Sequence, residues 1–193
     1  MLITVFSMRI FIALDIPTEV RERLSQYVER VRIYAPDARW ARIEALHVTL
    51  KFVGEASDEK VQEIKTTLTQ IKAEPFAVNF ENIGFFPTPR SARVFWAGVH
   101  APDALKHLVA AIDESLEKTG IAREKRPYHP HLTLARAPEG GASRNCFRLL
   151  QERPSAEASP QFGTMTALEF FLYQSQIMRG GSRYTKLQRF PLE

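Results

Sequence analysis

Cysteine is nearly missing from this chain: Cys146 is the single thiol in 193 residues. One thiol excludes an intramolecular disulfide and a cysteine-built metal site, and it favours a reducing compartment. No apolar run approaches the roughly 18 residues of a membrane span. A large excess of one charge is also lacking. The 26 Lys and Arg against 22 Asp and Glu leave a net charge of +4, which is compatible with a polyanionic partner without requiring one. No His-x-x-x-His pair and no carboxylate at ligand spacing stands beside the histidine motifs described below, so no metal and no cofactor is expected. The opening Met1 to Leu14 has no basic leader or cleavage site and carries Arg9 within it. It reads as a strand and not a signal peptide, with Met8 as an alternative start and the cytoplasm as the expected compartment. What remains, 45% hydrophobic and 25% charged, suits one substantial core or two small ones sharing an interface.

The most informative stretch occurs twice. His47-Val48-Thr49-Leu50 and His131-Leu132-Thr133-Leu134 share the form His, apolar, Thr, apolar, in β-branched surroundings that favour a strand. Alternation on a strand sends His and Thr to one face, about 7 Å apart, and the apolar residues to the other. Two such strands facing one cleft would supply two imidazoles and two hydroxyls.

Around these motifs the pattern predicts strands at Met8–Leu14, His47–Val53 (closed by Gly54), Phe76–Phe86, Arg93–Val99, His131–Arg136, Phe162–Tyr173 and Tyr184–Phe190. A short edge strand and turn is expected over Ala38–Ala45. Helical spacing of apolar residues runs from Val20 to Val31, Val61 to Ile71 and Leu105 to Leu116. Ser57 reads as an N-cap and Gly120 as a C′ glycine. A short helix is expected over Asn145–Glu152 and a turn over Arg179–Arg183.

Landmarks recur at a nearly constant offset: His47 and His131 differ by 84, Phe76 and Phe162 by 86, Phe85 and Phe170 by 85. This reads as a duplicated unit and not a solenoid. The expectation is a single α+β domain over residues 1–193, made of two pseudo-symmetric lobes. It would have two mostly antiparallel sheets, helices outside and a cleft between.

Paired imidazoles suit proton transfer on both sides of a phosphorus atom, because neutral and protonated forms coexist near neutral pH. Thr49 and Thr133 would donate to non-bridging oxygens, although threonine is also simply a good strand former. Arg136 would add a guanidinium to the phosphate. Because 131, 133 and 135 share a face, it points inward only if the strand ends or bulges. His129 could join a metal site with His131 and His47, whereas His100 and His107 suit the surface. Phe11, Phe52, Trp96, Tyr128 and Tyr184 could stack a base, but most aromatics in such a chain are core.

The two His-x-Thr-x motifs, the opening Arg9-Ile-Phe-Ile-Ala-Leu-Asp-Ile-Pro17, His47-Val-Thr-Leu-Lys-Phe-Val-Gly-Glu55, Pro130-His-Leu-Thr-Leu-Ala-Arg136 and the closing Arg183-Tyr-Thr-Lys-Leu187 resemble the two-histidine (2H) phosphoesterase superfamily. Within it they are most similar to the bacterial and archaeal RNA 2′,3′-cyclic phosphodiesterases, also called 2′-5′ RNA ligases (the LigT/ThpR type). The resemblance runs from about residue 8 to the end. It implies a metal-independent, bilobal enzyme that opens a terminal 2′,3′-cyclic phosphate on RNA to leave a 2′-phosphate. His131 would be the general base and His47 the general acid, with Thr49, Thr133 and Arg136 holding the phosphate. A 5′-hydroxyl in place of water would give a reversible 2′-5′ ligation. The implied partner is an RNA end, such as a tRNA fragment, met by a monomer without membrane or protein partners. The competing readings are a non-catalytic RNA-end binding module, a related esterase acting on a small cyclic nucleotide or an ADP-ribose cyclic phosphate, and a metallohydrolase.

Overall fold

The computed structural model describes residues 7–139, 146–152, 159–178 and 181–193. Among them run nine strands: β1 (Ser7–Leu14), β2 (Arg39–Trp40), β3 (Val48–Ser57), β4 (Phe76–Phe86), β5 (Val94–His100), β6 (His131–Arg136), β7 (Gln161–Ala167), β8 (Glu169–Met178) and β9 (Gly181–Pro191). The helices are α1 (Thr18–Val31), α2 (Asp58–Leu68), α3 (Asp103–Glu117) and the short α4 (Arg148–Glu152). The strands form two antiparallel sheets, ordered β3-β1-β8-β9 and β2-β6-β5-β4-β7, so the α+β expectation is met. With the two-residue β2 set aside, each sheet carries its motif strand, β3 or β6, at the same end.

The helices follow from their apolar spacing. Val20, Leu24, Tyr27 and Val28 bury one face of α1, Val61, Ile64 and Leu68 that of α2, and Leu105, Leu108, Val109, Ile112 and Leu116 that of α3. Ser57 Oγ accepts the Lys60 amide at 3.3 Å as an N-cap. The Ile121 amide reaches back to the Leu116 carbonyl at 3.1 Å beside Gly120, whose φ of +85° suits the residue after a helix. A single apolar core joins both sheets and the helices. A second, smaller cluster of Phe11, Ala13, Phe171 and Tyr173 lies on the first sheet, with Tyr184 against it.

Three boundaries differ most from the sequence expectation. Gly54, at φ +92°, does not close the first motif strand, which continues to Ser57 because β1 still pairs opposite it. Phe162–Tyr173 is not one strand. It divides at Leu168, with β7 pairing with β4 and β8 with β1; no turn residue stands at that break to mark which sheet receives each part. The last strand starts at Gly181 and not Tyr184, because Gly181, Ser182 and Arg183 of the expected Arg179–Arg183 turn already pair with β8; the rest of that turn and the start of the helix at Asn145 lie outside the described residues.

Candidate active site

The two motif strands share an irregularity. β1 pairs Ala13 with Thr49 and Ile12 with Lys51, leaving Leu50 as an extra residue. β5 pairs Trp96 with Thr133 and Phe95 with Ala135, leaving Leu134 extra in the same way. A bulge breaks the alternation of faces. Beyond His and Thr on one side, two successive residues are therefore buried on the other: Leu50 and Lys51 in β3, Leu134 and Ala135 in β6. The next residue returns to the first side. Those residues are Phe52 and Arg136, so the condition for an inward Arg136 is met.

A cavity of about 640 Å³ between the sheets is lined by His47, Thr49, His131, Thr133 and Arg136, which brings all five candidates together. Arg9, Arg39, Arg42 and Trp40 also line it, and sequence reasoning assigned none of them a role. Arg39-Trp-Ala-Arg42 stands five residues before His47, but only the pairing of β2 with β6 lays Arg39 beside Arg136 of the second motif. Of the possible stacking aromatics, Phe11, Phe52 and Tyr184 line the cavity, whereas Trp96 and Tyr128 stand behind it.

Each histidine is held in one tautomer by its own backbone. His47 Nδ1 meets the Ala45 carbonyl at 2.8 Å, and His131 Nδ1 meets the His129 carbonyl at 2.7 Å. A carbonyl only accepts, so Nδ1 carries the proton in both rings and Nε2 is the basic nitrogen of the neutral form. His47 is walled by Phe11 at 4.6 Å and Tyr184 at 5.0 Å between ring centres. His131 meets Phe86 edge-on at 5.0 Å and Trp96 at 6.5 Å. Trp96 lies flat over Gly84, where a Cβ would come within 2.1 Å of the indole, so only glycine admits that wall.

Burial lowers the proton affinity of both rings below the usual imidazole value of 6.5, since a desolvated imidazolium is disfavoured. The two carbonyl bonds oppose this shift. For His47, Arg21 and His131 lower the affinity further while Asp15 raises it. For His131 the added charges are Arg136 and His129, both unfavourable to the cation. Burial works to raise the Asp15 carboxyl, but Lys186 and Arg21 outweigh it and hold the group below its usual range. Tyr128 ties the two motifs together, its hydroxyl donating to the Thr49 carbonyl at 3.0 Å. Among the described residues no cluster of three or more His, Cys, Asp or Glu could hold a metal ion. No helix among them is long and apolar enough to cross a membrane.

Residues 14–96 match the family described as LigT like Phosphoesterase. A protein of Archaeoglobus fulgidus named RNA 2′,3′-cyclic phosphodiesterase is 31% identical over 95% of this chain and 99% of its own. One of the same name from Escherichia coli is 30% identical, covering 95% and 96%. The crystal structure of Escherichia coli LigT complexed with 3′-AMP superposes with a TM-score of 0.79 at 29% identity, covering 97% of this chain and 99% of that one.

Proposed function

The chain belongs to the LigT-like phosphoesterase family, and from that premise we propose that it opens a terminal 2′,3′-cyclic phosphate on RNA to leave a 2′-phosphate. The supporting observation is that two imidazoles, each with Nδ1 occupied by a carbonyl, line one cavity together with Thr49, Thr133 and Arg136. His131 Nε2 takes a proton from water, and the resulting hydroxide attacks phosphorus. The P–O3′ bond breaks, and His47, as the imidazolium, donates its Nε2 proton to the departing 3′ oxygen. Arg136 and the two threonine hydroxyls hold the non-bridging oxygens, whose charge increases in the transition state. A 5′-hydroxyl attacking in place of water leaves a 2′-5′ linkage by the same transfers.

The tautomer suits both roles. Neutral His131 presents a bare Nε2, as a base must, while His47 must gain a proton that burial disfavours. An anionic phosphate beside it supplies the compensating charge, so substrate binding itself arms the acid. The RNA end is favoured over a small cyclic nucleotide because Arg9, Arg39 and Arg42 line the cavity in addition to Arg136. One cyclic phosphodiester carries a single negative charge, and further guanidinium groups fit the phosphates that precede it in a strand. We also read residues 1–193 as a single domain of two duplicated lobes. The matching sheet orders and the bulges at Leu50 and Leu134 support this.

The test is incubation with an RNA ending in a 2′,3′-cyclic phosphate, with the product end identified. A 2′-phosphate is expected, unaffected by chelator. A 3′-phosphate, or binding without turnover, would reject the reading.

A further inference from the structure

Arg21 stands in the first turn of α1, outside the cavity, with its side chain 19% exposed. All three of its nitrogens are engaged. Nε donates to the Ile16 carbonyl at 3.2 Å, Nη1 to the Ile43 carbonyl at 2.7 Å and Nη2 to Asp15 Oδ1. Asp15 also accepts the Ile16 amide at 3.0 Å and the Lys186 ammonium from β9. Ile43 begins the 3₁₀ turn Ile43–Ala45, and it is the carbonyl of Ala45 that receives His47 Nδ1–H. One planar guanidinium thus joins the end of β1, the start of α1 and the turn that aims the first imidazole.

We propose that Arg21 is the positioning residue of His47: by clamping Asp15 and the Ile43 carbonyl it fixes the turn that holds the ring and its tautomer. The proposal rests on the acid–base reading of His47 given above. The second ring is supported otherwise. Among the described residues no side chain grips the carbonyls around His129. Pro127 and Pro130 stiffen that segment, and the Tyr128 hydroxyl tethers it to Thr49.

The charges that act on His47 come from several elements. Asp15 follows β1, Arg21 lies on α1, and Lys186 of β9 acts through Asp15. Tyr173 of β8 and Tyr184 of β9 face the ring, and His131 stands across the cavity. Arg21 disfavours the imidazolium and Asp15 favours it, while the Ala45 carbonyl bond favours it more than Arg21 opposes it.

The experiment is NMR of the histidine rings in the free, full-length protein, with steady-state kinetics on a cyclic-phosphate-ended RNA. In Arg21→Gln the His47 midpoint should move down, because the lost Ala45 bond outweighs the lost repulsion, and its Nδ1–H tautomer should give way to a mixture, while His131 keeps both. The kcat should fall by about 10- to 100-fold with KM nearly constant, the loss typical of a misaimed catalytic group. Asp15→Asn should move the same midpoint down. Arg21→Lys keeps the charge but not the fork, so kcat falls and the midpoint falls with the lost Ala45 bond. An unchanged His47 tautomer and an unchanged kcat in folded Arg21→Gln would overturn the proposal. If that variant does not fold, the same two results in Arg21→Lys overturn it. The NMR arm needs no substrate. A wild type that turns over no cyclic phosphate therefore rejects the phosphodiesterase reading separately, leaving the ring-support result to stand or fall by itself.

Discussion

The two histidine motifs have the same local geometry and different surroundings. In each, Nδ1 bonds a carbonyl two residues back, a threonine follows by two, and a bulge at the next leucine turns a later side chain into the cavity. Behind that likeness the halves part. The first strand buries Lys51 where the second buries Ala135, and it sends Phe52 into the cavity where the second sends Arg136. The first ring is backed by the ionic cluster of Asp15, Arg21 and Lys186, the second by prolines, Phe86 and Trp96. Equal rings on unequal supports can hold unequal protonation states, which an acid–base pair requires.

The comparison is tested first at the rings. His47→Ala and His131→Ala should each lower kcat by about 10²- to 10⁴-fold in steady-state assays, because in the proposed mechanism each transfers one proton of the same step. A variant that keeps wild-type turnover would break the pairing. At the positions beyond the bulges the halves should differ. Arg136→Gln should cost about 10²-fold in kcat, as expected for losing a donor to the developing charge. Phe52→Ala should act on KM alone, by less than about tenfold. Equal effects on kcat would show that the two positions do the same work.

The buried charge of the first half provides a stability contrast. Lys51 Nζ pairs with Asp113 of α3 and donates to the Ala122 carbonyl at 2.7 Å, with its side chain 6% exposed. Lys51→Ala should destabilise the fold by about 2–4 kcal/mol in denaturant unfolding, since it leaves the mostly buried Asp113 carboxylate and the Ala122 carbonyl without the ammonium. Lys51→Met combined with Asp113→Leu should recover most of that loss.

The smallest effects follow from pH. Both imidazoles lie below 6.5 in the folded state, so the unfolded chain takes up protons first as the solution acidifies. Their contribution is complete above about pH 6.5 and is lost as pH falls through the lowered folded values. Asp15, held below 3.8, adds a loss of the same sign further down. Thermal melts from about pH 7 to about pH 5 should therefore show a falling Tm, with a shallower slope in His47→Gln/His131→Gln. For catalysis, the kcat/KM optimum should lie on the acid side of 6.5, and the kcat profile at higher pH once phosphate is bound.

Much of this was legible in the sequence because it rests on local periodicity. The His-x-Thr-x strands, the apolar stripes of α1, α2 and α3, and the Ser57 cap each need only neighbouring residues to be recognised. The rest depends on register between distant segments. Nothing in Leu50 or Leu134 marks it as the extra residue of a bulge, and so the inward turn of Arg136 stayed conditional. Arg39 and Arg42 reach the cavity only because β2 pairs with β6. Arg21 reads as one more charge on an amphipathic helix until the Ile43 carbonyl is seen beneath it.

Leu168 is the only residue between β7 and β8, which lie in different sheets. A one-residue joint keeps the two sheets adjacent at that edge, and β2, which the chain carries on into β3 of the first sheet, lies on β6 of the second. The two sheets are thus neighbours at that seam, and one apolar core joins them beneath it. On the proposed reading, an RNA terminus would enter between walls that are already joined, and its product would leave from the same groove.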